Sequence, residues 1–378
     1  ERVRSLDTSS NGFDIRTTSS PAGSLAYRHA GTDSSTPNAT LGLIWAIGYW
    51  NEHQGAVAAT FDAETLETLR HHGQTSGHSF ANRLSVSNDK TKFLGVDLGD
   101  NFPRGIHLHR FDATSRQSKV VYNFKTKHED FIVDMLGVDH CENYANVSDC
   151  VYTEISTAND TYYKWSNDNN VYTDIAELVE IDEGYLVFFA GERRPLDSSQ
   201  VGSSLNNPRN LGLIRLTSDV FDVSNLSEAI VRIEGDGSSD LEYGGFYNYG
   251  GGWTEQRNEG ILWLTNFGSP PDEGSDDVDE NVVRLRTAHL GPDKNLVVFE
   301  VWNERTYLRT MLMLVADNGT VIHGATTCPF SMRLGPADTL IVLNSSNNTT
   351  NIAVGYSGVA GTGSSTSKLF RYDIALNV

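Results

Sequence analysis

Cysteine is scarce in this chain, three in 378 residues, which excludes a scaffold built mainly from disulfides. Positive charge is short as well: 29 Lys and Arg against 49 Asp and Glu leave a formal net charge of −20. That balance excludes nucleic acid, whose phosphates need a basic surface, and disfavours anionic membranes. Cations, basic proteins and neutral sugars are left as partners. No apolar run approaches the roughly 18 residues of a membrane span, so no membrane insertion is expected. No Gly-x-Ser-x-Gly elbow, His-Glu-x-x-His zinc motif or phosphate-binding glycine loop occurs. Helix signals are nearly missing: "DAETLETLRHH", from Asp62, has an N-cap Asp and a Leu66–Leu69 spacing that predict at most two turns on a loop.

What is present points to strands. An apolar fraction of 38% with 34 glycines suits many short strands joined by turns better than a helical bundle. Cys141 and Cys150 bracket "CENYANVSDC", a loop short enough for a disulfide, and Cys328 is left over as a buried thiol. Sequons stand at Asn38, Asn146, Asn159, Asn225, Asn318, Asn344, Asn347 and Asn348, most of them in turn-like segments where a glycan would sit. The sequence starts at Glu1 with no charged-then-apolar leader, as a processed protein would. These features read as a secreted, extracellular glycoprotein.

One unit recurs along the chain. "RLSVSNDKTKFLGVDLGD" (from Arg83), "ELVEIDEGYLVFFAGER" (Glu177), "TEQRNEGILWLTNFG" (Thr254), "RTAHLGPDKNLVVFEVWN" (Arg286) and "MRLGPADTLIVLN" (Met332) share a form. Each is a polar strand, a tight Asp/Asn/Gly turn and a β-branched, aromatic run, the signature of a hairpin. Apolar runs start near residues 42, 93, 151, 185, 261, 296 and 340. Four-stranded units at this spacing predict an all-β fold, a single β-propeller over residues 1–378 with about seven blades, in a range of six to eight. Residues 1 to about 20 read as an extended arm or part of a ring-closing blade. The continuous runs "YLVFF", "ILWL", "NLVVF" and "TLIVL" are expected to be the innermost strands, packed on both faces. Within this repeat, "GHSFANRLSVSNDKTKFLGVDLGDNFPRGIHL" (Gly77 to Leu108) resembles a segment of uncharacterised secreted β-propeller proteins, mostly bacterial. The likeness spans one blade and implies fold and secretion, not an activity.

Five places carry candidate chemistry. His107 and His109 are two apart on a strand, so they share a face and could grip a transition metal with a third ligand such as His78 or Asp97. The acidic loop "SPPDEGSDDVDEN", with Asp272, Asp276, Asp277 and Asp279, offers crowded carboxylates to Ca²⁺, although its spacing is not that of an EF-hand. Asp236, Ser238 and Asp240 alternate like the first half of a Ca²⁺ loop. Tyr243, Tyr247, Tyr249 and Trp253 lie among glycines, and such rings stack on sugars or anchor protein partners. Loops after the apolar runs bring Trp50, Asp97, Asp100, Arg104, Glu192 and Trp302 to one expected face.

The leading functional expectation is an extracellular binding or adhesion module for a glycan or protein. A structural subunit that self-associates into an assembly or filament is the first alternative. A polysaccharide-acting hydrolase or lyase, using paired carboxyls at the propeller mouth, is the second.

Overall fold

The computed structural model describes residues 23–29, 39–48, 54–101, 105–123, 150–152, 174–192, 209–223, 226–235, 245–248, 252–255, 260–267, 280–303, 306–329, 332, 334, 340–344, 350–359 and 367–375. Strands account for nearly all of them, in antiparallel meanders. The first meander holds β1 (Gly23–Arg28), β2 (Thr40–Gly48), β3 (Gln54–Asp62) and the first half of β4 (Thr68–Val86). β4 then serves twice: its residues up to Gly77 pair with β3, and those from Gly77 on pair with β5 (Phe93–Asn101). The second meander continues through β6 (Gly105–Phe111), β7 (Arg116–Asn123) and the short parallel β8 (Cys150–Tyr152).

A third meander contains β9 (Val179–Ile181), β10 (Gly184–Glu192), β11 (Arg209–Thr217) and a split outer edge, β12 (Ile230–Val231) and, further along the chain, β15 (Ile261–Trp263). Between these two edge pieces the chain forms a separate hairpin, β13 (Gly245–Asn248) with β14 (Gly252–Glu255). The fourth meander is β16 (Glu280–Gly291), β17 (Lys294–Asn303), β18 (Thr306–Val315) and β19 (Val321–Thr327). The fifth is β20 (Leu340–Asn344), β21 (Thr350–Val359) and β22 (Ser367–Ala375).

The fold is an all-β propeller. A central cavity of about 330 Å³ is lined by Leu25 and Tyr27 of β1, Leu84 and Val86 of β4, Glu180 of β9, His289 of β16 and Val342 of β20. One strand from each meander thus faces the channel. Among the described residues there are five such strands, fewer than the about seven expected from the apolar runs. The runs at 42, 93, 185 and 296 are β2, β5, β10 and β17, which are second strands and not innermost ones. The run at 151 is β8 on an outer edge, the run at 261 is β15 on another, and only the run at 340 supplies an inner strand.

The physical reason is water. The first strand of each meander borders the channel and mixes apolar with polar residues, among them Ser85, Glu180, Thr287 and His289, whereas the second is buried on both faces. Accordingly Leu186, Val187, Phe188 and Phe189 of β10, and Val297, Val298 and Phe299 of β17, are fully buried. Each such side chain contributes about 1.5–3 kcal/mol by leaving water.

Sheets meet by reciprocal fit. Phe93 of β5 lies over Gly42 of β2, where an added Cβ would come within 2.6 Å of the ring. Two residues along each strand, Ile44 of β2 lies over Gly95 of β5, leaving 2.5 Å for a Cβ. Large and small residues alternate across the contact, as close packing requires. The helix expected after Asp62 is instead a turn followed by β4. Asp62 Oδ1 accepts from the amides of Glu64 (2.9 Å) and Thr65 (2.7 Å), so its capping chemistry closes a turn and the chain then returns to the sheet. The one helix among the described residues is a 3₁₀ turn, Leu226–Ala229.

Candidate functional site

The pairing registers bring the ends of the second strands to one face. Gly23 pairs with Trp45, Gly77 with Asn101, Ile175 bridges to Phe189, and Glu280 pairs with Asn303. This face lies at the N-terminal ends of the inner strands and is the channel mouth.

A polar girdle ties the inner strands together there. Ser24 Oγ donates to the Asn82 carbonyl (3.1 Å), linking β1 to β4. Arg83 NH2 meets Asp174 Oδ1 at 3.1 Å, linking β4 to the residues just before β9. Asp174 Oδ2 in turn accepts the Leu285 amide of β16 at 2.8 Å. Arg284 NH1 donates to the Leu334 carbonyl (2.7 Å), in the approach to β20.

Arg284 is the least ordinary member of this girdle. Between Val283 and Arg286 the β16–β17 register shifts, so β16 carries a bulge with one extra residue. Arg284 sits in it at φ 54°, a left-handed conformation that glycine adopts freely and other residues do not. The other described non-glycine residues with positive φ, Leu66, Lys90 and Asp293, lie in turns between strands. The bulge also removes the Leu285 amide from the ladder, and Asp174 takes it.

Around Arg284 the side chains are interlocked. Its guanidinium lies over the Trp302 ring, 5.1 Å from the centroid, and 3.5 Å from Glu300 Oε2. Glu300 is fully buried: Oε2 accepts from Trp302 Nε1 (2.7 Å) and Oε1 from the Leu334 amide (2.6 Å). Tyr307 meets Trp302 edge-on, with centroids 6.3 Å apart. Behind them Arg309 grips Glu280 through two bonds of 2.6 and 2.5 Å. Arg83, Arg284 and Arg309 thus each have a carboxylate beside them.

The central cavity itself is largely apolar: Leu25, Leu84, Val86, Leu178, Leu340 and Val342 line it, with Glu177, Glu180 and His289 among its ionisable groups. Burial pushes the Glu180 carboxyl up, against a hydrogen bond that it accepts from the Asn88 amide. Glu177 is tied into β16, its Oε2 accepting the Thr287 amide at 3.1 Å and its carbonyl the Thr287 hydroxyl at 3.0 Å.

His107 and His109 do share a face, with ring centroids 6.4 Å apart, but inside the second sheet. Both nitrogens of His109 are engaged, Nε2 with Asp97 Oδ2 (3.1 Å) and Nδ1 with Ser118 Oγ (2.9 Å). Burial lowers the His109 pKa. Burial would raise the Asp97 carboxyl, yet the adjacent His109 holds it below the usual range. Among the described residues no group of three or more His, Cys, Asp or Glu is placed to hold a metal. Asp97, expected on the loop face, is instead a fully buried partner of His109 in β5. The order Asp–His–Ser has the look of a hydrolase triad, but all three side chains are buried.

Of the other sequence-derived residues, Trp302 is brought to the mouth. Tyr247 pairs with Trp253 across the β13–β14 hairpin, which is a separate two-stranded sheet. Trp50, Arg104, Tyr243, Tyr249, Asp236, Ser238, Asp240, Asp272, Asp276, Asp277 and Asp279 lie outside the described residues, as do Cys141, Asn38, Asn146, Asn159, Asn225, Asn347 and Asn348. Cys150 is in β8 and Asn344 ends β20. Asn318 is exposed in the turn before β19, and Cys328 is buried with Met332 and Leu334. Sequence reasoning missed Arg83, Asp174, Arg284 and Glu300. Two signals were there: a lone carboxylate inside "NLVVFEVW", and Val282 and Leu285 spaced by three in a strand that should alternate.

A comparison with protein-family models matched none, and a comparison with curated proteins found no relative. Among solved structures, the chain is similar to an endo-arabinase from Bacteroides thetaiotaomicron, with 10% identity, a TM-score of 0.39 and coverage of 97% of this chain and 98% of that one. It is also similar to the GH93 α-L-arabinofuranosidase of Fusarium graminearum (8% identity, TM-score 0.41, 94% and 76% coverage). A third is a GH62 hydrolase (9%, 0.33, 93% and 92%). At these scores the likenesses carry no statement about activity, and the propeller stands on the sheets themselves.

Proposed function

We propose that this protein is an extracellular glycan-directed propeller that takes a saccharide at the channel mouth. The observation that supports the reading is the Trp302–Arg284–Glu300 cluster, an aromatic ring and a guanidinium held in fixed relation where the fourth meander meets the approach to β20. Sugar recognition needs such a pairing: an aromatic surface for the C–H face and oriented donors for the hydroxyls. The test is a glycan array followed by calorimetry of the retained oligosaccharide. Trp302→Ala should weaken binding by about 10-fold or more, the effect of removing one buried aromatic anchor. Unchanged affinity in that variant, with its fold intact, would remove the reading.

A second reading, hydrolysis of the bound polysaccharide, is favoured by the two carboxylates at the mouth, since glycoside cleavage uses a pair. Both oxygens of Asp174 and of Glu300 are already hydrogen-bonded, so in this reading these groups orient and do not exchange protons. The acid and base would come from residues that follow the second strands in the sequence, such as Glu52 after β2 or Glu304 after β17. New reducing ends from a polysaccharide panel, lost in Glu304→Gln or Glu52→Gln, would favour it. Retention without turnover would leave a binding module.

A further inference from the structure

We infer that Arg284 is the specificity-determining residue of this site and that it clamps two adjacent hydroxyls of a neutral sugar; this rests on the saccharide reading above. Among the described residues, the guanidinium uses NH1 toward Leu334 and Glu300, and no partner meets Nε or NH2. That leaves one edge of the fork with parallel donors, on a side chain 29% exposed at the mouth. The fork is not free to turn. Trp302 stacks on its face, the Leu334 carbonyl holds one corner, and the bulge fixes the backbone from which it projects.

The backbone itself argues for the side chain. A non-glycine residue at φ 54° costs on the order of 1–2 kcal/mol, which glycine would avoid. Strain of this kind persists where the surroundings enforce it, and it clusters at ligand sites. Here Asp174, by accepting the Leu285 amide, supports the bulge from the neighbouring meander.

Charge decides between ligands. A paired donor edge suits either a carboxylate or a vicinal diol. Among the described residues of the girdle, Arg83 faces Asp174 and Arg284 faces Glu300, so each of these two cations already has a carboxylate beside it, and the whole chain carries −20. A ligand carboxylate would be brought beside Glu300 and Asp174 without compensation, whereas hydroxyls meet no such repulsion. The geometry therefore selects neutral sugars by hydroxyl placement. An analogue lacking one of the two hydroxyls would leave a fixed N–H unpaired.

Calorimetric titration tests this with neutral xylo-, arabino-, gluco- and manno-configured trisaccharides and uronate-bearing counterparts, using wild type, Arg284→Lys, Arg284→Gly and Trp302→Ala. Lysine keeps the charge near Glu300 but loses the fork, and glycine relieves the backbone, so at least one variant should retain the wild-type melting temperature. Expected is a neutral ligand whose affinity falls about 10- to 100-fold in Arg284→Lys. Removing one hydroxyl from that ligand should cost affinity in wild type and not in the variant. If Trp302→Ala abolishes binding while both Arg284 variants bind as wild type does, the clamp is wrong and the saccharide reading stands. Tighter binding of the uronate forms overturns the neutral-diol assignment. No binding of any panel member to the wild type overturns clamp and reading together.

Discussion

His72 is 1% exposed beside Phe111, with ring centroids 4.9 Å apart. Burial, with Arg116 and Arg70 nearby, lowers its pKa to about 3. An unfolded chain would protonate the same ring near 6.5. Between those values the unfolded state holds a proton that the folded state refuses. Stability present above pH 6.5 is therefore lost as pH falls toward 3, at about 1.4 kcal/mol per pH unit. His109, lowered by burial as well, adds in the same direction. His72→Phe should flatten this acid dependence while changing stability little at pH 7.5, as urea titrations at pH 7.5, 5.5 and 4.5 would show. An unaltered slope would mean that His72 is not the group responsible.

At the scale of elements, the β2–β5 contact makes the sharpest demand. Gly95→Ala drives a methyl into Ile44, and Gly42→Ala drives one into the Phe93 ring. Each should cost about 1–3 kcal/mol by overpacking. Shortening the opposing residue, Ile44→Val with Gly95→Ala, should recover part of that loss. Additive losses in the double variant, read from denaturant midpoints, would contradict the reciprocal fit. Hairpins such as β4–β5, β9–β10 and β16–β17 were legible in the sequence because turn chemistry and alternation are local. Which strand of each hairpin lines the channel was not, since burial on both faces describes a second strand between sheets as well as an innermost one. For the site, Trp302 was legible as an aromatic residue just past an apolar run. Arg284 was not, because its role depends on a bulge, on Asp174 of another meander and on Leu334 of the next, and no local pattern brings those together.

Across the whole molecule, the girdle at the mouth couples the meanders by polar contacts, beside the apolar packing between their sheets. Asp174 bonds to β4 through Arg83 and to β16 through Leu285, spanning two sheet boundaries. Asp174→Ala would leave Arg83, which is 7% exposed, without that carboxylate. The expected loss is about 3 kcal/mol, with the saccharide affinity reduced as the Arg284 bulge loses support. Thermal unfolding and calorimetry on the same preparation would show both. A variant that loses stability but binds normally would separate the girdle from the site.

The central claim is a place: the mouth between the fourth and fifth meanders. Hydrogen–deuterium exchange, with and without the retained oligosaccharide, addresses it directly. Protection is predicted in 280–286 and 300–303, around the Arg284 bulge and Trp302, and at the amides of Ile175 and Leu334. Protection confined to the β13–β14 hairpin or to the exposed edge strand β19 would place the ligand elsewhere and contradict the account.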